Sequence, residues 1–260
     1  MLRLQLVSDL HLELHEQNGL QVPFTAMPGV DLVVLAGNVG GCKRGMEFAR
    51  ELKAPVLYVP GTLEHGGLEV DQTTMVMKFE AINSRVKVLQ NNSVVIGGVR
   101  FLGTTLWPDF GTPAHPGRLA LAMAPYEGIR HKAHPIPYAA LLWHHNCAVA
   151  WLAKRLAQPF KGPTVVVSHH APHPKSTPLQ GPIDPIAQPN QTRLTELMQS
   201  ATIWLHGGVS VACDYRIGAT RVAANPFGSP ADRGYPYSVV AGSNGYDPEL
   251  VIDAVSYTHL

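Results

Sequence analysis

Five short stretches place side chains with acid–base or metal-binding capacity at regular stations along the chain. They are Asp9-Leu10-His11, Gly37-Asn38-Val39-Gly40, Gly61-Thr62-Leu63-Glu64, Ser168-His169-His170 and His206-Gly207-Gly208-Val209-Ser210. A carboxylate and two imidazoles, Asp9, His11 and His169, suffice to hold one Zn, Mn or Fe with positions left open for water. An ion held there would act as a Lewis acid and supply hydroxide. The plainer reading of the same trio is a polar rim whose members hydrogen-bond to one another or to water. Ser210 offers a nucleophile with a histidine as base. It lacks the second glycine of the Gly-x-Ser-x-Gly elbow, so its plainer reading is a space-filling residue. His65 is either a proton donor that swings towards these groups or a histidine on a surface loop. The imidazoles at His131, His134, His144 and His145 invite a second metal site, although neighbours on a helix point apart.

The elements needed to gather these groups are legible in the hydrophobic pattern. Apolar runs at Leu4 to Val7, Leu32 to Ala36, Val56 to Val59, Thr164 to Val167 and Ile203 to Leu205 have the length of strands buried on both faces. Segments of helical period lie between several of them, at Met46 to Lys53, Val76 to Ser84, Leu141 to Leu156 and Thr192 to Ser200. Hairpins are expected around Gly97-Gly98 and Gly218-Ala219. Trp107 to Pro137 and Pro172 to Pro189, dense in Pro, Gly, Ala and His, read as long loops. Every chemical stretch named above follows directly on a strand-like run. All five therefore converge on the carboxyl rim of an α/β sheet, where ligands bind.

Taken in order, the five stretches resemble the calcineurin-like metallophosphoesterase superfamily. Its pattern is Asp-x-His, Gly-Asp-x-x-Gly, Gly-Asn-His-Glu, a later Gly/Ser/Thr-His, and Gly-His-x-His. Further matches at Gly103-Thr104-Thr105-Leu106-Trp107 and Asp214-Tyr215-Arg216-Ile217-Gly218 extend the resemblance from Leu4 to about Ile252. It implies a four-layer α/β/β/α sandwich of two mixed sheets flanked by helices, formed by one domain over 1–255. The tail at 256–260 does not fit the pattern and reads as non-native sequence.

The departures fall on the chemical positions. Asn38 stands where the family has its bridging Asp, Thr62 at a ligand Asn, Leu63 at the catalytic His, and Gly208 and Ser210 at two ligand His. An amide brings no charge to offset two dications within about 4 Å. Leucine cannot donate a proton, a role that contributes typically 100- to 10,000-fold. The frame makes Asn38, Thr62, His170, Trp107 and Arg216 candidate substrate contacts, with Trp107 equally suited to wall packing. His170 and His206 would orient their neighbours.

Composition bounds what remains. The 260 residues carry 45% hydrophobic and only 15% charged side chains, so core packing must drive folding. A net charge of +1 supplies no field for steering nucleic acid or an anionic membrane. No run reaches membrane length, and the default expectation is a soluble cytoplasmic protein. Cys42, Cys147 and Cys213 are too few and too scattered for a disulfide framework. Three functions follow from this reading. One is a hydrolase of phosphate mono- or diesters with at most one divalent metal. Another is a catalytically silent protein of that fold, natural or engineered, that binds a small phosphorylated ligand or a partner. Metal-independent hydrolysis through Ser210 is the third.

Overall fold

A computed structural model describes residues 1–110, 116–176, 194–230 and 244–255. The tail at 256–260 and most of the Pro/Gly-rich stretch that opens at Pro172 lie outside the described residues. The first half of the chain forms β1 (Leu2–Val7), α1 (Leu12–Gln17), β2 (Leu32–Leu35), α2 (Cys42–Glu51), β3 (Val56–Tyr58), α3 (Val70–Glu80) and β4 (Val86–Val88). It continues through β5 (Asn92–Ile96), β6 (Val99–Thr104), α4 (Pro116–Met123), β7 (Arg130–His131), β8 (His134–Pro135) and α5 (Tyr138–Leu156). The remainder is β9 (Thr164–Ser168), α6 (Thr195–Met198), β10 (Ile203–His206), β11 (Cys213–Ile217), β12 (Thr220–Ala224) and β13 (Val251–Ala254).

Two mixed sheets result. One has the order β13-β1-β2-β3-β4 and the other β11-β12-β10-β9-β6-β5. Their central strands run parallel, while β13, β11 and β5 add antiparallel edges. The period of two along each strand decides what meets what. Leu4, Leu6, Leu32, Val34 and Leu57 pack against Phe101, Val165, Val167, Ile203 and Leu205 between the sheets. The opposite face of the first sheet presents Val33, Leu35 and Val56 to Met46, Phe48 and Ala49 of α2. On the second sheet, Leu102, Val166 and Trp204 meet Ala148, Leu152 and Leu156 of α5. Helix, sheet, sheet and helix therefore form four layers, as the resemblance implies.

Both hairpins form where the glycines stand. Gly97 and Gly98 adopt φ of 55° and 78°, the left-handed pair that a two-residue turn between twisted strands requires. Three expectations are corrected. The Trp107–Pro137 stretch holds the helix α4, a 3-10 turn at Ala124–Tyr126 and the small pair β7–β8. Helix α3 starts at Val70 rather than Val76, because Glu69 and Gln72 close a capping box around its first turn. Among the described residues of the segment expected to be a helix over Thr192 to Ser200, the helix spans Thr195–Met198. Among the described residues no helix is long and apolar enough to cross a membrane.

Candidate functional site

The carboxyl ends of β1, β2 and β3 from one sheet and of β9 and β10 from the other meet at a crevice of about 400 Å³. Asp9, His11, Asn38, Thr62 and Leu63 line it from the first sheet, and His169, His170, Gly208 and Ser210 from the second. The strand ends turn sharply: Asp9, His11 and Asn38 have φ of 53°, 47° and 53°. Left-handed backbone at residues with a Cβ costs on the order of 1 kcal/mol each, and such strain gathers at functional sites. Backbone hydrogen bonds hold the three turns, from Asp9 N to Gly37 O (2.9 Å), His11 N to Asn38 O (3.0 Å) and Leu12 N to Val39 O (3.0 Å).

Behind the crevice lies a buried carboxylate. Glu64 accepts hydrogen bonds from Asn38 N (3.1 Å), Val39 N (2.8 Å), Gly61 N (2.7 Å) and Tyr58 Oη (2.7 Å). Burial pushes its pKa up, and the Tyr58 hydroxyl with the amides of Glu64, Val39 and Gly61 pulls it back. It ties the end of β2 to the end of β3.

The front of the crevice is closed in on itself. Asn38 donates through Nδ2 to Asp9 Oδ1 (3.1 Å) and accepts at Oδ1 from Leu63 N (2.9 Å). Gly208 N donates to Asp9 Oδ2 (3.0 Å), so both carboxyl oxygens of Asp9 have protein donors. Burial pushes the Asp9 pKa from 3.8 to about 7, against the pull of those donors. His169 Nδ1 lies 2.9 Å from Ala36 O. A carbonyl only accepts, so that nitrogen carries the proton and Nε2 keeps its lone pair. Burial lowers the His169 pKa well below its ordinary value, and the ring is neutral.

This donor set does not fit the two divalent metals that the resemblance implies. No group of three His, Cys, Asp or Glu side chains that could hold an ion is formed among the described residues, either at the rim or around His131, His134, His144 and His145. His11 Nε2 is 4.0 Å from Asp9 Oδ1, but Asp9 is engaged with amides and His169 stands on the other sheet. Asn38, at the bridging position, spends its oxygen on the Leu63 amide.

The structure places the remaining sequence candidates as follows. Thr62 and Ser210 line the crevice, Ser210 from an exposed position. Among the rim histidines, His170 is engaged with Thr105 O and Tyr126 Oη and His206 with Gly207 O and Ser176 Oγ, while His169 keeps its Nε2 lone pair. His65 is neither a surface residue nor part of the crevice lining. Its ring is fully buried, stacked 5.0 Å from Trp107, with no hydrogen-bond partner at either nitrogen. Burial drops its pKa to about 3, which removes it as a proton donor near neutral pH. Trp107 is wall packing: it is buried against His65, Tyr126 and His170 and does not line the crevice. Arg216 sits on β11 with its guanidinium on Ala219 O, outside the crevice lining. Tyr126, Pro125 and Ser229 complete the lining and carried no signal in the sequence, since each lies in an aperiodic stretch.

Two face-to-face mixed sheets with a polar crevice at the carboxyl ends of their central strands define a metallophosphoesterase-like fold. Among solved structures the chain is similar to phosphopantetheinyl hydrolase from Mycobacterium tuberculosis, with a TM-score of 0.67 at 17% identity over 90% of this chain and 93% of that one. It is also similar to a dimetal phosphatase from Danio rerio, with a TM-score of 0.42 at 11% identity over 86% of each chain. No protein-family model matches the sequence, and no curated protein matches it.

Proposed function

We propose that this protein uses the rim crevice to recognise a small phosphorylated molecule, a phosphate mono- or diester, without two-metal turnover. The observation that carries the reading is the amide of Asn38 closed onto Asp9. Where a dinuclear centre needs negative charge, this chain has a neutral donor paired with a carboxyl whose pKa is about 7. The crevice instead offers hydroxyl donors at Thr62 and Ser210. Neutral donors to an ionised acceptor form hydrogen bonds roughly twice as strong as neutral pairs. A likeness to phosphopantetheinyl hydrolase supports the phosphorylated ligand class. A second reading, slow hydrolysis with one divalent ion, is favoured by the free Nε2 lone pair of His169 and by His11 beside Asp9.

Calorimetric titration of a nitrophenyl phosphodiester separates the readings. The expected result is saturable binding in chelator with no nitrophenolate released. Release that requires added Mn and disappears in His11→Ala would replace this reading with the single-metal hydrolase. Release that resists chelator and disappears in Ser210→Ala would replace it with metal-independent hydrolysis.

A further inference from the structure

A second crevice, of about 410 Å³, opens between the start of α3, the β7–β8 hairpin and the start of α5. Its volume falls within the range of small-molecule pockets, roughly 300–1,000 Å³. Trp107 touches lining residues of both crevices, with its ring 5.7 Å from His170 and 6.5 Å from His144. The two sites therefore share a wall while lined by different residues.

The chemistry of this crevice is unlike that of the rim. Trp143 lines it with 60% of its surface exposed, an unusual state for the largest apolar side chain. Its indole is set edge-on to His144, with ring centroids 4.9 Å apart. Arg130 of β7 and Asp71 from the first turn of α3 also line the crevice. Helix α5 begins beside it at Pro137, which gives the first turn no side-chain cap and leaves its positive dipole end open to an anion. The hairpin is held in a strained form: Lys132 and Ala133, neither of them glycine, turn with φ of 49° and 67°. Lys132 N donates to Glu69 Oε1 (2.8 Å) and Arg130 N to Leu68 O (2.9 Å), which fixes the hairpin against the start of α3.

We propose that this second crevice binds a nucleoside 5′-monophosphate. The base lies on the exposed face of Trp143, because every base offers a π-face to an aromatic platform. Its exocyclic amino group donates to the Asp71 carboxylate. The phosphate meets the Arg130 guanidinium, whose planar fork matches phosphate oxygens. The inference does not rest on the reading of the rim crevice, and the experiment keeps the two sites apart.

The experiment is a titration of the whole protein with adenosine 5′-monophosphate at low salt, read by calorimetry. The expected result is a binding component that persists with the rim crevice saturated by the nitrophenyl phosphodiester and is weakened by about tenfold or more in Trp143→Ala and in Arg130→Gln. Trp143 and Arg130 are both exposed, so neither substitution removes core, and circular dichroism checks that each variant is folded. In excess phosphodiester, binding that survives both crevice variants, or no binding to the parent, overturns the proposal. So does the absence of saturable binding by the adenine, guanine, cytosine and uracil monophosphates at millimolar concentration.

Discussion

Replacing Asn38 by Asp puts a carboxylate where the amide now donates to Asp9 across 3.1 Å. The attraction becomes a repulsion between two buried acids. With both ionised at that distance and an effective dielectric constant of about 20, the repulsion is bounded at about 5 kcal/mol. The pair avoids most of it by keeping one proton, as closely spaced carboxyls do. Asp9 alone already titrates near 7, so retaining that proton at pH 8 costs at least about 1.4 kcal/mol per pH unit above its pKa. Adding the lost hydrogen bond to a charged acceptor, the variant should be less stable than the parent by roughly 2–4 kcal/mol at pH 8. At pH 5 the shared proton is bound without cost, and the deficit should shrink to about 1 kcal/mol. For a chain of this size that corresponds to a melting temperature lower by roughly 5–12 °C at pH 8 and by a few degrees at pH 5. Thermal melts of both proteins in chelator at the two pH values measure this. An equal deficit at both values, or none at pH 8, would refute the account of the Asp9–Asn38 contact.

Exchanging His65 for Phe removes two buried ring nitrogens without partners and keeps the stack on Trp107, so stability should rise by about 1–2 kcal/mol in denaturant titrations. Glu64→Gln sets an amide NH2 against donors that now converge on a carboxylate, and should cost roughly 2–4 kcal/mol in the same titrations. The buried histidines make the protein acid-labile. Their folded pKa values, about 3 for His65, about 4 for His170 and His206, and lowered also for His169, lie below the ordinary 6.5. Their contribution is therefore complete above pH 6.5 and lost as pH falls towards 4. Asp9, raised to about 7, and Glu64, also raised by burial, work in the opposite direction, but as two groups against five once His144, lowered by burial, is counted. The melting temperature should fall steadily from pH 7 to pH 4.5, and a flat profile would contradict this balance. Elemental analysis after loading with Mn, Zn and Fe and desalting should find well under one metal per chain, in keeping with the dispersed donor set.

The sequence discloses the central strands because each is buried on both faces and so reads as an unbroken apolar run. It also discloses the rim, since every polar stretch follows such a run. The edge strands β4 and β13 escape it: Val86–Val88 and Val251–Ala254 are too short and too ordinary to stand out from neighbouring loops. Helix α4 escapes because Pro and Gly at its start mask the period that follows. At the site, the sequence supplies residue types but not their partners. That Asn38 spends both ends of its amide within the protein depends on Asp9 and Leu63, which lie 29 and 25 positions away. Burial of His65 depends on Trp107, a long-range contact with no local signature. The hydrogen-bonded chain of His206, Ser176 and Tyr215 was missed for the same reason, since Ser176 lies 30 positions from the imidazole it meets.

The brace at Glu64 bears on how such a rim changes over time. It fastens the loops after β2 and β3 through three main-chain amides and the Tyr58 hydroxyl. None of those donors is a side chain that faces the crevice. Residues 38, 62 and 63 can therefore exchange chemistry while the loops that carry them keep their course. Shape and reactivity are inherited separately in this architecture. A lineage can shed a catalytic set, keep the mould, and later acquire a different set by a handful of point substitutions, without first having to refold the rim.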